Sequence, residues 1–492
     1  MCTHRGPHSF SARAFILRPT VRRKHAADIY RLAWPVLVAQ LAVIAYGVID
    51  TVVAGRYSTE DLAAVGIGAA IYFSVFVALM GVLIALSPIV AQLLGAGRHG
   101  EIGEQVRQGM WLTLGLALLS IVVFAYPEPL LALSRPAPEV ERKVRAYLAV
   151  AAWGAPAGLA FRLFASYTTA LSLPRVMMVL NLAGLALKVP LTFAFVFGRA
   201  GAPELGATGC ALATAIVNWL ICIAAWGWCA KSARYARYGV FSRWSWPRLR
   251  DLRHLVALGV PIGLTFFIDV TAFTFIALFV ARLGAAHSAA HQIVANVAAV
   301  MYMLPLALGN GVGVLVAQAV GARKLDVARS LGLTGIGLAG VLAGIASAAV
   351  VLGAASLASI YTEDGEVRAL AASLLVLVAI YHVFDALQVV AVNALRGYKR
   401  AVIPMIISAL SLWGVGLAGG YVAGLTHALD LPALGLHGPY GVHGFWAAAS
   451  VGLALAFACT FAYYLAVSRP REKRRKPTPG NETDGTGASV EA

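Results

Sequence analysis

Long apolar stretches, interrupted at near-regular intervals by turn-rich and charged segments, dominate the chain. Ile71 to Leu94, Trp111 to Tyr126 and Leu331 to Leu357 run with almost no charge, and roughly 20 apolar residues suffice to cross a bilayer as a helix. Division at the breaks predicts twelve spans: 28–55, 60–95, 105–126, 140–172, 175–198, 207–231, 253–282, 285–320, 327–359, 367–396, 401–425 and 442–468. The predicted fold class is an all-α integral membrane protein.

The spans repeat. Ala33-Trp34-Pro35 opens the first and Gly259-Val260-Pro261 the seventh; Ile89-Val90-Ala91-Gln92-Leu93-Leu94-Gly95-Ala96 ends the second and Leu315-Val316-Ala317-Gln318-Ala319-Val320-Gly321-Ala322 the eighth. Pro35 to Gln92 is 57 residues, and so is Pro261 to Gln318. The common offset of 226 also carries Ala63-Ala64 and Ile67 onto Ala289-Ala290 and Ile293, and Gly198 onto Gly424. An offset of six spans preserves orientation, so the halves are two parallel six-helix bundles related by an axis along the membrane normal. Many transporters place the substrate path between such halves. The expected organisation is a basic arm (1–27), an N-lobe (28–231), a basic linker (232–252), a C-lobe (253–468) and a tail (469–492), basic and then disordered.

Composition agrees: 60% of the 492 residues are hydrophobic and 12% charged, too few charges to coat soluble domains of this length. The net charge of +17 reads as membrane orientation rather than nucleic-acid binding. Of 39 basic residues, 29 fall on one alternating set of breaks that includes both chain ends. By the positive-inside rule that set is cytoplasmic, so the span number is even and the protein is a multi-pass plasma (inner) membrane protein. The Arg-rich residues 1–25 lack the apolar core of a secretory signal and read as a basic arm touching anionic lipid. Five scattered cysteines give neither a disulfide framework nor a zinc site. The Asn481 sequon would lie on the cytoplasmic side and is discounted.

Five formal charges fall well inside the predicted spans: Asp50, Arg162, Lys188, Asp269 and Asp385. Buried charge is expensive there, which makes each a functional candidate. Asp269 precedes Arg282 by 13 residues and Asp385 follows Arg368 by 17, so at ~1.5 Å per residue both lie deep in the C-lobe at similar depth. Mutual repulsion and desolvation favour a proton on such a pair; Na⁺ or an organic cation can take its place, and that competition is the minimal chemistry of antiport. Tyr381, one turn before Asp385, shares its helix face. In the N-lobe, Asp50 and Lys188 are expected to pair, an ammonium standing where Na⁺ would; unpaired, Asp50 would be a second proton site. Arg162 is expected to snorkel toward the cytoplasmic interface.

Gln40, Gln292, Asn296 and Gln388 are expected to bond between helices or to line a cavity. Phe266, Phe267, Phe273, Met301, Tyr302, Met303 and Phe384 suit a pocket for flat cationic compounds. His287 and His291 share a helix face without the Glu or Cys of a metal site, and packing is their expected role. No nucleophile–base set or HExxH string stands in the spans, so an enzyme is not expected, and no cofactor beyond the coupling H⁺ or Na⁺.

The chain resembles the multidrug and toxic compound extrusion (MATE) family in its NorM-like branch. The likeness rests on Val48-Ile49-Asp50-Thr51 with Gly55, Asp61-Leu62-Ala63-Ala64-Val65-Gly66, Pro88-Ile89-Val90-Ala91-Gln92 to Arg98 and Pro203-Glu204-Leu205-Gly206-Ala207-Thr208-Gly209. It continues with Ala289-Ala290-His291-Gln292-Ile293, Asn296, and Phe384-Asp385 leading to Leu395-Arg396-Gly397-Tyr398-Lys399. The resemblance implies an alternating-access antiporter that expels organic, mostly cationic compounds in exchange for H⁺ or Na⁺. By that likeness Asp385 and Tyr381 match the tenth-span acid and tyrosine, Asp269 stands where a glutamate is usual, and Asp50 matches the first-span aspartate. Lys188 next to Val189-Pro190-Leu191, where asparagines are usual, departs from the pattern. The expected coupling ion is H⁺ rather than Na⁺; a Na⁺ would sit at Asp269, Asp385 and Tyr381. The expected partners are small organic cations and lipid, with no nucleic acid, for a monomer. A flippase for a lipid-linked or amphipathic substrate is the alternative, and a channel or receptor a lesser one.

Overall fold

The computed structural model describes residues 19–134, 137–428 and 438–469. The expectations for the arm up to residue 18, for Arg135 and for the tail beyond Arg469, Asn481 included, fall outside them. Twelve described helices are long and apolar enough to cross a membrane: α1 (Thr20–Tyr57), α2 (Thr59–Gly95), α3 (His99–Ala125), α4 (Pro138–Ala170), α5 (Pro174–Phe197), α6 (Ala207–Lys231), α7 (Leu249–Ala281), α8 (Ala285–Gly321), α9 (Leu325–Leu352), α10 (Gly365–Gly397), α11 (Val402–Leu425) and α12 (Gly441–Val467). Each predicted span has its helix.

The boundaries differ for local reasons. The basic arm is already helical by Arg22, because nothing between Thr20 and Pro35 breaks the backbone ladder. The span predicted to reach 359 stops at Gly353, and a short helix, Ala354–Tyr361, follows. Pro138 and Pro174 stand in the first turns of α4 and α5, where a missing N–H costs nothing. Ser58 caps α2 by accepting from the Asp61 amide, and Asp364 caps α10 by accepting from the Glu366 and Val367 amides. The stretch expected as a basic linker docks against α3. Arg107 donates to the Gly239 carbonyl at 2.7 Å, Trp111 to the Ser245 carbonyl at 3.0 Å, and Tyr235 and Tyr238 are buried.

Twelve antiparallel crossings bring both described chain ends to one side, called here the terminal side. On the far side each lobe keeps a core of its own: Val53, Val65, Phe124, Leu148 and Val196 in the N-lobe, and Ile276, Val294, Leu375, Phe445 and Trp446 in the C-lobe. On the terminal side the cores are shared. Leu86, Val90 and Phe164 pack in one cluster with Leu258, Ile262 and Val314, and Ile29 and Ala33 pack with Val312 and Leu395. The lobes therefore join on the terminal side and part on the far side, leaving a cleft that opens there.

The seam is built from the repeat. Gln92 Nε2 donates to the Gly397 carbonyl at 2.9 Å, and Gln318 Nε2 donates to the Ala170 carbonyl and to Ser172 Oγ, both at 2.9 Å. The same two glutamines are the landmarks that the 226-residue offset superposes. A Cβ at Gly95 would run into the backbone of Gln318, and one at Gly321 into the backbone of Gln92. Only glycine lets α2 and α8 cross so closely.

Candidate functional site

Asp269 stands on α7 six residues beyond Gly263, whose backbone meets that of Gly81 on α2. At ~1.5 Å per residue this puts Asp269 about 9 Å past the seam, at the floor of the cleft. Asp385 on α10 is buried and Asp269 half-buried. The charge of Asp269 acts on Asp385, and Tyr302 of α8 and Tyr381 of α10 feel both acids. Neither carboxylate has a hydrogen bond or ion pair with any described residue. The Tyr381 ring is fixed edge-on between Phe273 (6.0 Å) and Trp446 (5.4 Å). What results is a pair of carboxylates beside a rigid aromatic wall, with phenol hydroxyls nearby and the Arg396 charge acting on Asp269.

The N-lobe is arranged in the opposite way. Lys188 Nζ lies 2.8 Å from Asp50 Oδ1, donates also to Thr214 Oγ1, and is wholly buried. The Tyr46 ring closes over the ammonium at 5.6 Å, and Cys210 Sγ contacts the Asp50 carbonyl at 3.8 Å. Helices α1, α5 and α6 each supply a member. Asp50 is thus engaged by a cation that belongs to the chain.

Phe266 and Phe273 are half-buried, as are Met301, Met303, Phe384 and Gln40. Gln292 and Asn296 are exposed, one turn apart on α8. Gln388 is buried and donates weakly, at 3.4 Å, to Ser408 Oγ. Phe267 is 43% exposed on an apolar stripe of α7 with Val260, Leu264, Phe275 and Leu278, because 100° of helical rotation separates it from Phe266.

His291 packs against the Trp446 ring at 5.7 Å, and its Nδ1 and His382 Nε2 have no hydrogen-bond partner among the described residues. Among the described residues no group of three His, Cys, Asp or Glu could hold a metal ion. Arg162, half-buried on α4, makes no hydrogen bond or ion pair with a described residue.

Two participants, Thr214 and Arg396, are not among the residues the sequence points to. Thr214 is one small polar residue in a helix and carries no distinguishing signal. Arg396 was placed among the loop charges because Lys399 and Arg400 follow it. It is 7% exposed in the last turn of α10, a sixth charge inside the bundle. The run Leu395-Arg396-Gly397, still apolar before the turn, held that information.

The MatE family model matches residues 35–194 and again 261–422, once per lobe and at starts that differ by the offset of 226. Among curated relatives, a probable multidrug resistance protein NorM of Aromatoleum aromaticum is 43% identical over 431 residues, covering 88% of this chain and 92% of the relative. The multidrug resistance protein PmpM of Pseudomonas aeruginosa is 37% identical, over 92% and 93% of the two chains. Among solved structures, the Vibrio cholerae MATE transporter VcmN in its bent form superposes with a TM-score of 0.81 at 20% identity, covering 91% of this chain and 98% of that one. The repeated family match, read with relatives that span nearly the whole chain, shows that this multi-pass membrane protein belongs to the MatE family, the MATE family its motifs resemble.

Proposed function

We propose that the protein is a multidrug efflux antiporter that exports small organic, mostly cationic compounds in exchange for H⁺. One contrast carries the reading. Asp269 and Asp385 stand at the cleft floor with no hydrogen bond or ion pair among the described residues, the Arg396 charge acting on Asp269 from beyond ion-pair distance, whereas Asp50 is engaged by Lys188. An unpaired buried carboxylate must find a positive partner or a proton. A cation from the cleft and a proton therefore compete for the same two groups. The names borne by the NorM and PmpM relatives support multidrug cargo.

The predominance of basic residues on the terminal side supports that side being cytoplasmic, in an inner (plasma) membrane with both ends inside. The cleft then faces outward, the state from which cargo leaves. Protonation of the acids releases the cation, and rocking of the lobes about the seam returns the site inward. Na⁺ in the same place would be held by the two carboxylates and the Tyr381 hydroxyl. H⁺ is favoured because the N-lobe already carries its own cation.

Ethidium efflux from vesicles under an imposed pH gradient or an imposed Na⁺ gradient tests the reading. Efflux driven by the pH gradient in Na⁺-free buffer is expected. Efflux that survives collapse of the pH gradient and stops on Na⁺ removal would contradict it.

A further inference from the structure

The stretch that joins α6 to α7 carries a surface that the cleft does not use. From Phe241 to Arg250 every side chain but Ser245 is exposed. Phe241, Trp244 (75%), Trp246 (74%) and Leu249 are large and apolar, and Arg243, Arg248 and Arg250 are interleaved with them. Apolar bulk of this kind, gathered in one exposed patch, marks a surface that meets something other than water.

The patch is held firmly on α3. Arg107 donates to the Gly239 and Val240 carbonyls at 2.7 and 3.1 Å and to Ser245 Oγ at 3.0 Å, and the Arg248 amide donates to Gln108 Oε1 at 2.8 Å. Trp111 donates to the Ser245 carbonyl. Its ring meets Trp244 edge-on at 5.7 Å and stacks with Trp246 at 6.4 Å. The three indoles form one cluster.

The height of that cluster follows from α3. Leu114, Leu118, Ile121 and Val122 are exposed and stand 3, 7, 10 and 11 residues after Trp111, on the same helical face. On a membrane-spanning helix such a face meets lipid tails. The indoles lie at its terminal-side end, about 10 Å from Leu118, the level where tails give way to headgroups and where tryptophan is favoured. At that level Arg243 and Arg250 make no hydrogen bond or ion pair with a described residue, and Arg248 reaches Glu104 only at 3.8 Å. Asp251 is the one acid among residues 241–251. The complement of this surface is apolar chain joined to negative charge, and a guanidinium suits the phosphate of a lipid headgroup.

We propose that the Trp111, Trp244 and Trp246 cluster with Arg243 and Arg250 is a binding site for an anionic phospholipid of the terminal-side leaflet. An acyl chain lies along the Leu114 and Leu118 face, and the headgroup meets the two guanidiniums. The site joins α3 of the N-lobe to the start of α7 in the C-lobe, so a bound lipid ties them together and stabilises the fold. It does not depend on the efflux reading.

The unfolding midpoint of the full chain in detergent micelles, with dioleoylphosphatidylglycerol or dioleoylphosphatidylcholine added, provides the test. Phosphatidylglycerol should raise the parent's midpoint by about 2 °C or more above the phosphatidylcholine value. Arg243→Gln/Arg250→Gln should lose most of that increment. Arg323→Gln/Lys324→Gln, a control in another exposed basic turn of the same side, should keep it. An increment equal for the two lipids, one retained in Arg243→Gln/Arg250→Gln, or one lost equally in the control would overturn the site. Should Arg243→Gln/Arg250→Gln fail to fold, Trp244→Ser/Trp246→Ser is read in the same way: loss of the increment supports the site and its retention overturns it.

Discussion

Lys188 Nζ lies 2.8 Å from Asp50 Oδ1 inside the N-lobe, with the lysine side chain wholly buried. Breaking a buried pair by removing one partner typically costs ~3–5 kcal/mol, because the other charge is left uncompensated. Lys188→Asn and Asp50→Asn should each lower the thermal unfolding midpoint of the purified protein. The double variant should recover much of the loss. A double variant as unstable as the sum of the singles would show that the two residues do not act as a pair.

The seam predicts a shift between conformations. The glutamine bonds at 2.9 Å are each worth about 0.5–1.5 kcal/mol. Gln92→Ala or Gln318→Ala should therefore move the balance toward the state open on the terminal side by about 2- to 10-fold. Spin labels across the terminal side would read this as a growing long-distance population. Gly95→Ala should shift it further, since its Cβ meets backbone that cannot turn aside. Distance distributions identical to the parent in all three variants would mean that closure does not depend on this crossing.

Gly206 holds a third prediction. It adopts φ +55°, and a Cβ there would strike the Asp61 carboxylate, which accepts from the Ala207 amide at 2.6 Å and pairs with Lys143 at 2.7 Å. Gly206→Ala combines the strain of a conformation that glycine alone adopts readily (φ +55°, ψ −130°), about 1–3 kcal/mol, with disruption of that staple, and should destabilise by about 2 kcal/mol or more. Unfolding followed in detergent checks it; Gly206→Ala matching the parent would show that the α5–α6 connection relaxes freely.

The helices were legible because a bilayer permits few spanning structures, and the lobes because Pro35 and Gln92 recur as Pro261 and Gln318. The deep acids were legible as costly exceptions in apolar sequence. Side-chain direction was not: Phe266 and Phe267 are adjacent in sequence, and only the packing of α7 against α2 separates them. Arg396 was hidden by the charged turn that follows it, and its burial depends on a lobe contact that no local pattern encodes. The seam glutamines were visible as repeat landmarks; that each donates to the opposite lobe required the assembled fold.

The central claim is that Asp269 and Asp385 together exchange a proton for cargo. Uphill ethidium export driven by a pH gradient, in proteoliposomes of the parent, Asp385→Asn and the Asp269→Asn/Asp385→Asn double variant, tests it most directly. Uphill export should fall at least about 100-fold in the double variant, the loss expected when a required charge is removed. Double-variant vesicles that still concentrate ethidium at the parent's rate would contradict it.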